Sequence, residues 1–137
     1  MKYLFEWSDD LSVNQPEIDR QHKQLFNQIN ILLSAIIIQV DEETVDDAIS
    51  FLGKYINNHL TYEEDYMAKN GYPDLEQHKL SHQDFVNNYK IVGEKRRAGA
   101  PVESLALQIE QYLGNWLIEH IGQADQKFAE YIERKTE

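Results

Sequence analysis

The sequence predicts an all-α fold, an up-down-up-down antiparallel four-helix bundle preceded by an N-terminal arm. Apolar residues recur at intervals of three and four positions in four separate segments, which is the pattern of amphipathic helices that pack on one another. No segment shows the alternation of polar and apolar residues that is typical of a strand. The connections between the segments are short, so consecutive helices should pack antiparallel.

The first helix is predicted to run from about Pro16 to about Gln39. Proline suits a first helical turn, where an N–H group would have no partner within the helix. The stripe that should face the core contains a histidine among apolar side chains and consists of Ile18, His22, Leu25, Phe26, Ile29, Leu33 and Ile36.

The second helix is predicted to begin after Asp41 and to end before Asn70-Gly71. Acidic residues in its first turns complement the helix dipole, and an Asn-Gly pair is a common stop signal. Its inner stripe becomes polar toward its carboxyl end and consists of Val45, Ile49, Leu52, Ile56, His59, Glu63 and Tyr66.

The third helix is predicted from near Pro73-Asp74 to the basic residues that precede Gly99. Basic residues in a last turn also complement the dipole. Two histidines one turn apart lie on its inner stripe, which consists of Leu75, His78, His82, Phe85, Tyr89 and Val92.

The fourth helix is predicted to open at Pro101, and its inner stripe contains an irregularity. The stripe follows Val102, Leu105, Ile109, Tyr112, Trp116 and His120, and then resumes one residue late with Asp125, Phe128 and Ile132. On a regular helix, residues five apart differ by roughly 140° in direction, so His120 and Asp125 can both face inward only if the helix widens locally. We therefore predict a one-turn π-bulge near Gly122.

Size and composition narrow the possible functions. A chain of 137 residues suits one domain, with residues 1–15 as the arm and residues 16–134 as the bundle. A formal net charge of -11 argues against nucleic acid as a partner, and the absence of cysteine means that any metal must be held by nitrogen and oxygen. The longest apolar run, residues 31–40, is too short to insert in a membrane, and no signal peptide is evident, so we expect a cytoplasmic protein.

All five histidines and two carboxylates fall on predicted inner faces. A single inward histidine is usually a core residue bonded to a neighbour, but seven such groups buried without partners would cost several kcal/mol each. A bound metal would give all seven groups a partner. The four-residue spacing of His59 with Glu63, and of His78 with His82, presents both members of each pair on one helix face. The predicted ligands are His22, His59, Glu63, His78, His82, His120 and Asp125. Nitrogen and oxygen ligands alone would also accept zinc or manganese.

The order of these motifs resembles the hemerythrin family, and the bacterial single-domain hemerythrins (bacteriohemerythrins) in particular. The similarity extends over nearly the whole chain and is carried by IDRQHKQLF, HLTYEE, HKLSH and WLIEHIGQADQKF. The resemblance implies two iron ions with an oxo or hydroxo bridge: His78, His82 and His120 would bind one iron, His22 and His59 the other, and Glu63 and Asp125 would bridge both. One coordination position would stay open on the two-histidine iron, where the family binds dioxygen.

The resemblance further implies an oxygen-binding protein for transport, storage or delivery, and not an enzyme. It places an apolar wall around the open iron, formed by Leu25, Leu60, Trp116, Leu117 and Ile121. Leu60 and Phe128 depart from the Phe and Tyr of the animal carriers. A di-iron enzyme that reduces peroxide or nitric oxide, and a stand-alone oxygen or redox sensor, are the alternatives.

The sequence and its resemblance to the hemerythrin family also lead to expectations about binding partners and about the residues next to the predicted ligands. Dioxygen is the expected ligand, an oxygen-consuming client protein is a candidate partner, and the chain is expected to be a monomer. Three acids adjoin the predicted ligands in sequence, namely Glu64, Asp65 and Glu119. Immediate neighbours on a helix point in different directions, so we interpret these three as part of a solvated face.

Overall fold

Four helices make up most of the computed structural model, which describes residues 5–38 and 41–136. They are α1, Pro16–Ile37; α2, Glu42–Lys69; α3, Leu75–Arg97; and α4, residues 102–136. Adjacent pairs in the bundle are α1 with α2, α2 with α3, α3 with α4 and α1 with α4. The predicted four-helix bundle is confirmed, and the described residues contain no strand.

The helix ends follow the local signals in the sequence. Pro16 starts α1, and the Asp41 side chain caps α2 by accepting a hydrogen bond of 2.8 Å from the backbone N–H of Thr44. After α2 the chain turns at Gly71, whose φ of +64° is readily adopted by glycine. Helix α1 ends at Ile37 in the structure. The predicted end of this helix, near Gln39, lies outside the described residues.

Helix α4 contains two π-helical turns. Its α-helical segments Val102–Ile109, Asn115–His120 and Gln126–Thr136 are joined by π-helical segments at Glu110–Gly114 and Ile121–Asp125. The second π segment contains Gly122 and confirms the predicted bulge. The first was not predicted.

The unpredicted π turn corrects the inner stripe of α4. Tyr112, expected to face inward, is 48% exposed, whereas Leu113 is fully buried; likewise Trp116 is half-buried and Leu117 is buried. A π turn contains an extra residue, so the inward face moves one position along the sequence. The four-residue spacing of Ile109, Leu113 and Leu117 was the signal for this shift. The side chain of Val102 lies outside the described part of the chain.

The apolar core forms two layers with a polar layer between them. One layer includes Leu25, Leu60 and Ile121, and the other includes Ile18 and Phe128. On α1, α2 and α4 the predicted metal ligands lie between members of the two layers in sequence, so the fold places them at one level of the bundle.

No helix in residues 5–38 and 41–136 is both long enough and apolar enough to cross a membrane.

The N-terminal arm is fastened to α1 and to the first π turn of α4. The backbone N–H of Phe5 donates to the side-chain oxygen of Asn30 (2.8 Å), and the Asn30 side-chain N–H donates back to the Phe5 carbonyl (2.7 Å). The ring of Phe5 lies against Gly114, where a Cβ atom would overlap it. Further along the arm, the ring of Trp7 lies 6.2 Å from that of Phe26.

We expect Gly114→Ala to destabilise the protein by about 1–3 kcal/mol, because the added methyl group must displace the buried Phe5 ring. Gly122→Ala is the matched control: it lies in the other π turn, and nothing lies within 4 Å of its added methyl group. That change should be neutral or should stabilise by up to about 1 kcal/mol through helix propensity. Thermal unfolding of both variants measures the difference, and equal melting temperatures would contradict the packing role of Gly114.

Candidate metal centre

The polar layer of the bundle consists of the seven side chains that the sequence singled out. Helix α1 contributes one, and α2, α3 and α4 contribute two each. None is more than 7% exposed, although the layer contains only ionisable groups: His22, His59, Glu63, His78, His82, His120 and Asp125. The structure therefore brings all seven together in the interior.

The seven side chains form two overlapping groups that could each hold a metal ion. One group contains three histidines and two carboxylates, and the other contains two histidines and the same two carboxylates. Within each group, one ligand atom from every residue lies within 4.8 Å of the others. The groups are Glu63, His78, His82, His120 and Asp125, and His22, His59, Glu63 and Asp125.

Glu63 directs one oxygen to each group. Its Oε1 lies 2.6 Å from His78 Nε2 and 3.1 Å from His82 Nε2. Its Oε2 lies 3.2 Å from His59 Nε2 and 3.5 Å from His22 Nε2. The carboxylate is thus oriented to bridge two ions through its two oxygens.

The two oxygens of Asp125 also face different groups. Its Oδ1 lies 3.0 Å from His78 Nε2 and 3.4 Å from His120 Nε2, and its Oδ2 lies 3.1 Å from His22 Nε2. This orientation depends on the π turn Ile121–Asp125, which lets His120 and Asp125 both face inward although they are five residues apart. The bulge therefore places the Asp125 carboxylate between the two histidine groups.

Several atoms of this cluster are buried and make no hydrogen bond of suitable geometry, although some of them lie within 3.5 Å of one another. They are both ring nitrogens of His22, Oε2 of Glu63 and both carboxylate oxygens of Asp125. Buried polar groups in native proteins are almost always hydrogen-bonded, and leaving them unpaired is costly. Because the atoms converge and are imidazole nitrogens and carboxylate oxygens, they fit the ligand preferences of a pair of divalent transition-metal ions.

Three histidines are oriented through the ring nitrogen that faces away from the centre. Nδ1 of His59 lies 3.0 Å from Oε1 of Gln21, Nδ1 of His82 lies 2.7 Å from Oε2 of Glu64, and Nδ1 of His120 lies 3.0 Å from Oγ of Ser81. A proton donated from Nδ1 leaves the Nε2 lone pair free for a metal, which is the arrangement that metal-binding histidines use. The partner residues are Gln21, Glu64 and Ser81.

The sequence did not reveal these three partners. Glu64 was placed on a solvated face with Asp65 and Glu119, and only Asp65 and Glu119 are exposed. The Glu64 side chain is 26% exposed and reaches His82 on the neighbouring helix α3. Proximity to a ligand in sequence did not identify Glu64 as a histidine partner, because Asp65 and Glu119 also lie close to ligands in sequence.

Protons and metal ions compete for the same nitrogen atoms. Burial alone would lower the pKa of His22 and of His78, but the neighbouring carboxylates of Asp125 and Glu63 outweigh it and raise each pKa to about 9. Burial lowers the pKa of His59. Burial would raise the pKa of both carboxyl groups, but the surrounding histidines hold the pKa of Glu63 and of Asp125 below the usual range. Metal binding must therefore displace protons from the centre.

The expected apolar wall is buried except for its tryptophan. Leu25, Leu60, Leu117 and Ile121 belong to one apolar layer beside the centre. Trp116 is half-buried and stacks on the His120 ring, with centroids 4.6 Å apart and planes at 12°. The structure thus places Trp116 against the three-histidine group.

Comparison with known proteins agrees with this geometry. Residues 14–132 match the family model described as the hemerythrin HHE cation binding domain. A bacteriohemerythrin of Stenotrophomonas maltophilia is 30% identical over 129 residues, which cover 94% of this chain and 82% of the relative. A myohemerythrin of Theromyzon tessulatum is 32% identical over 90% of both chains, and a hemerythrin-like protein of Naegleria gruberi is 29% identical over 90% of both.

Proposed function

The chain belongs to the hemerythrin family, and we propose that it binds dioxygen reversibly at a non-haem pair of iron ions. The observation that carries the proposal is the division of seven buried side chains into two unequal groups that share two carboxylates. In this assignment His78, His82 and His120 would hold one ion, His22 and His59 would hold the other, and Glu63 and Asp125 would serve both.

The unequal sizes of the two groups support one open position for a small ligand. The larger group offers five ligand atoms and the smaller offers four. A shared oxo or hydroxo bridge would add one ligand to each ion, which would complete six-coordination at the three-histidine position and would leave one site open beside His22 and His59. An open position distinguishes a reactive metal centre from a closed structural one.

The composition of the ligand set favours binding over oxidation chemistry. Iron in the ferrous state would supply the electrons for holding dioxygen. Di-iron bundle proteins of the carboxylate-rich type use four Glu and two His, whereas this centre combines five imidazoles with two carboxylates. Fewer anionic ligands give less stabilisation to highly oxidised iron, and this supports a centre that releases dioxygen unchanged.

The surrounding side chains support retention of the ligand. Leu25, Leu60, Leu117 and Ile121 form part of a continuous apolar layer next to the centre. Such a wall keeps water from the open position and slows the loss of a bound group by protonation. We propose that the chain acts as a carrier or store of dioxygen, as a cytoplasmic monomer that supplies an oxygen-consuming client.

Alternate exposure to air and inert gas tests the proposal. We expect iron-loaded, reduced protein to develop a visible charge-transfer band in air and to lose it under inert gas over repeated cycles. His59→Ala should abolish the reversible band, because the ion with the open position loses one of its two histidines. Asp65→Asn, which changes an exposed acid on the same helix, should leave the band intact.

Two other results would point to a different function. A band that bleaches once and irreversibly, together with steady consumption of peroxide or nitric oxide in the presence of an electron donor, would identify an enzyme. Reversible binding coupled to the capture or release of a specific signalling protein would identify a sensor.

A further inference from the structure

We propose that Glu64 is a positioning residue that lowers the reduction potential of the ion held by His82. The inference rests on the proposed metal centre and goes beyond it, because it assigns a function to a side chain that binds no metal. The contact that carries it is the 2.7 Å separation between Oε2 of Glu64 and Nδ1 of His82.

The His82 ring is held between two carboxylates from α2. Its Nε2 lies 3.1 Å from Glu63 inside the centre, and its Nδ1 lies 2.7 Å from Glu64 outside it. Consecutive residues on a helix differ by 100° in direction, so Glu63 points into the bundle while Glu64 points along the seam with α3. The pair fixes the ring orientation and keeps the proton on Nδ1.

The partner of His82 differs in charge from those of the other histidines. His59 faces the neutral amide of Gln21, and His120 faces the hydroxyl of Ser81. The Nδ1 of His22 is buried without a hydrogen-bond partner. Among the residues that the structure describes, His82 is the only histidine whose Nδ1 contacts a carboxylate.

This asymmetry has an electronic consequence. An imidazole that donates to a carboxylate is a more basic ligand, because the negative charge increases electron density on the ring. Greater ligand basicity stabilises a ferric ion more than a ferrous ion and so lowers the reduction potential. Glu64 therefore biases the three-histidine position toward oxidation, whereas the open position lies on the other ion.

Three variants separate the charge of Glu64 from its hydrogen bond. Glu64→Gln keeps an oxygen that accepts from His82 but removes the charge, and Glu64→Ala removes both. Asp65→Asn is the matched control, because Asp65 is the next residue on α2 and is exposed. Far-UV circular dichroism of each variant reports whether the bundle is intact.

Two measurements test the role of Glu64. With Co²⁺ and a competing chelator, we expect Glu64→Ala to bind about 10- to 100-fold more weakly than the unmodified protein, and Asp65→Asn to bind normally. In iron-loaded protein, spectroelectrochemical titration should give a higher midpoint potential for Glu64→Gln than for Asp65→Asn. A tenfold loss of ferric over ferrous preference corresponds to about 59 mV for a one-electron couple.

Equal potentials for Glu64→Gln and Asp65→Asn would overturn the inference, as would unchanged Co²⁺ binding in Glu64→Ala. Failure of the proposed function gives a different pattern. If the unmodified protein shows no reversible band with dioxygen but Glu64→Ala still weakens Co²⁺ binding, the positioning role stands and the oxygen-carrier proposal fails.

Discussion

Asp125→Ala is expected to abolish binding of the metal pair, with a loss of affinity of more than about 100-fold. Asp125 is buried, and its two oxygens face different histidines: Oδ1 lies 3.0 Å from His78 and Oδ2 lies 3.1 Å from His22. One substitution therefore removes a ligand from both groups together with one of the two negative charges that offset the metal charge. Effects on metal affinity from outer residues alone reach 10–100-fold, so loss of a shared direct ligand should exceed them.

Iron content after gel filtration measures this effect. We expect two ions per chain in the unmodified protein and fewer than one in Asp125→Ala. Asp125→Asn keeps the shape of the side chain but removes its charge and one coordinating oxygen, and it should also fail to hold the pair. Glu119→Gln removes an exposed acid from the same helix and should keep full iron content. Two ions retained in both Asp125 variants, with the helical circular dichroism intact, would remove Asp125 from the ligand set.

The stabilisation of the protein by metal is expected to grow between pH 6.5 and about 9. In the metal-free chain the pKa values of His22 and His78 lie near 9, above the ordinary value of 6.5, because the carboxylates outweigh the effect of burial. A histidine with a raised pKa binds its proton more tightly in the fold than in the unfolded chain. It therefore stabilises the metal-free fold below pH 6.5, and that contribution disappears as the pH rises to about 9.

The groups with lowered pKa values, Glu63, Asp125 and His59, define the acid side of the profile. Glu63 and Asp125 have lowered pKa values, so their contribution to metal-free stability is present above the ordinary carboxyl range and is lost in stronger acid. Burial lowers the pKa of His59, so protonation in the unfolded chain disfavours folding below pH 6.5. The metal-free protein should thus be most stable near pH 6.5 and should weaken on either side.

Metal binding has the opposite dependence above pH 6.5. Ligand atoms must be free of protons, so metal affinity rises until His22 and His78 are deprotonated in the absence of metal. Melting temperatures with and without Zn²⁺, a redox-inert ion that nitrogen and oxygen ligands accept, should diverge from pH 6.5 to about 9. Each of the two histidines contributes up to about 3 kcal/mol to the divergence, since its pKa is raised from 6.5 to about 9 and each unit of pKa is about 1.4 kcal/mol.

Proton release provides a second measurement. Calorimetric titration with Zn²⁺ in two buffers of different ionisation enthalpy should show net proton release at pH 7 that falls toward zero above pH 9. A gap in melting temperature that stays constant from pH 6.5 to 9, with no proton release, would contradict the competition between protons and metal at His22 and His78.

The sequence predicted the helices and the candidate ligands because both depend on local periodicity. A helix turns 100° per residue, so spacing alone places His59 with Glu63 and His78 with His82 on one face. The same arithmetic exposed the irregular step from His120 to Asp125, and the π segment Ile121–Asp125 confirmed it. The spacing from Ile109 to Trp116 contains no such conflict, so it did not predict the π segment Glu110–Gly114, and the prediction that Tyr112 faces inward is wrong.

The periodicity of the sequence does not predict contacts between side chains on different helices. Spacing fixes the direction in which a side chain leaves its own helix, but not the rotation and separation of the neighbouring helix. Glu64, Gln21 and Ser81 could be recognised as histidine partners only after packing brought them to 2.7–3.0 Å of His82, His59 and His120. The sequence by itself determined which seven side chains face the interior. Only the tertiary structure decided that Glu63 and Asp125 each turn one oxygen to either histidine group, because that orientation depends on four helices meeting at one level.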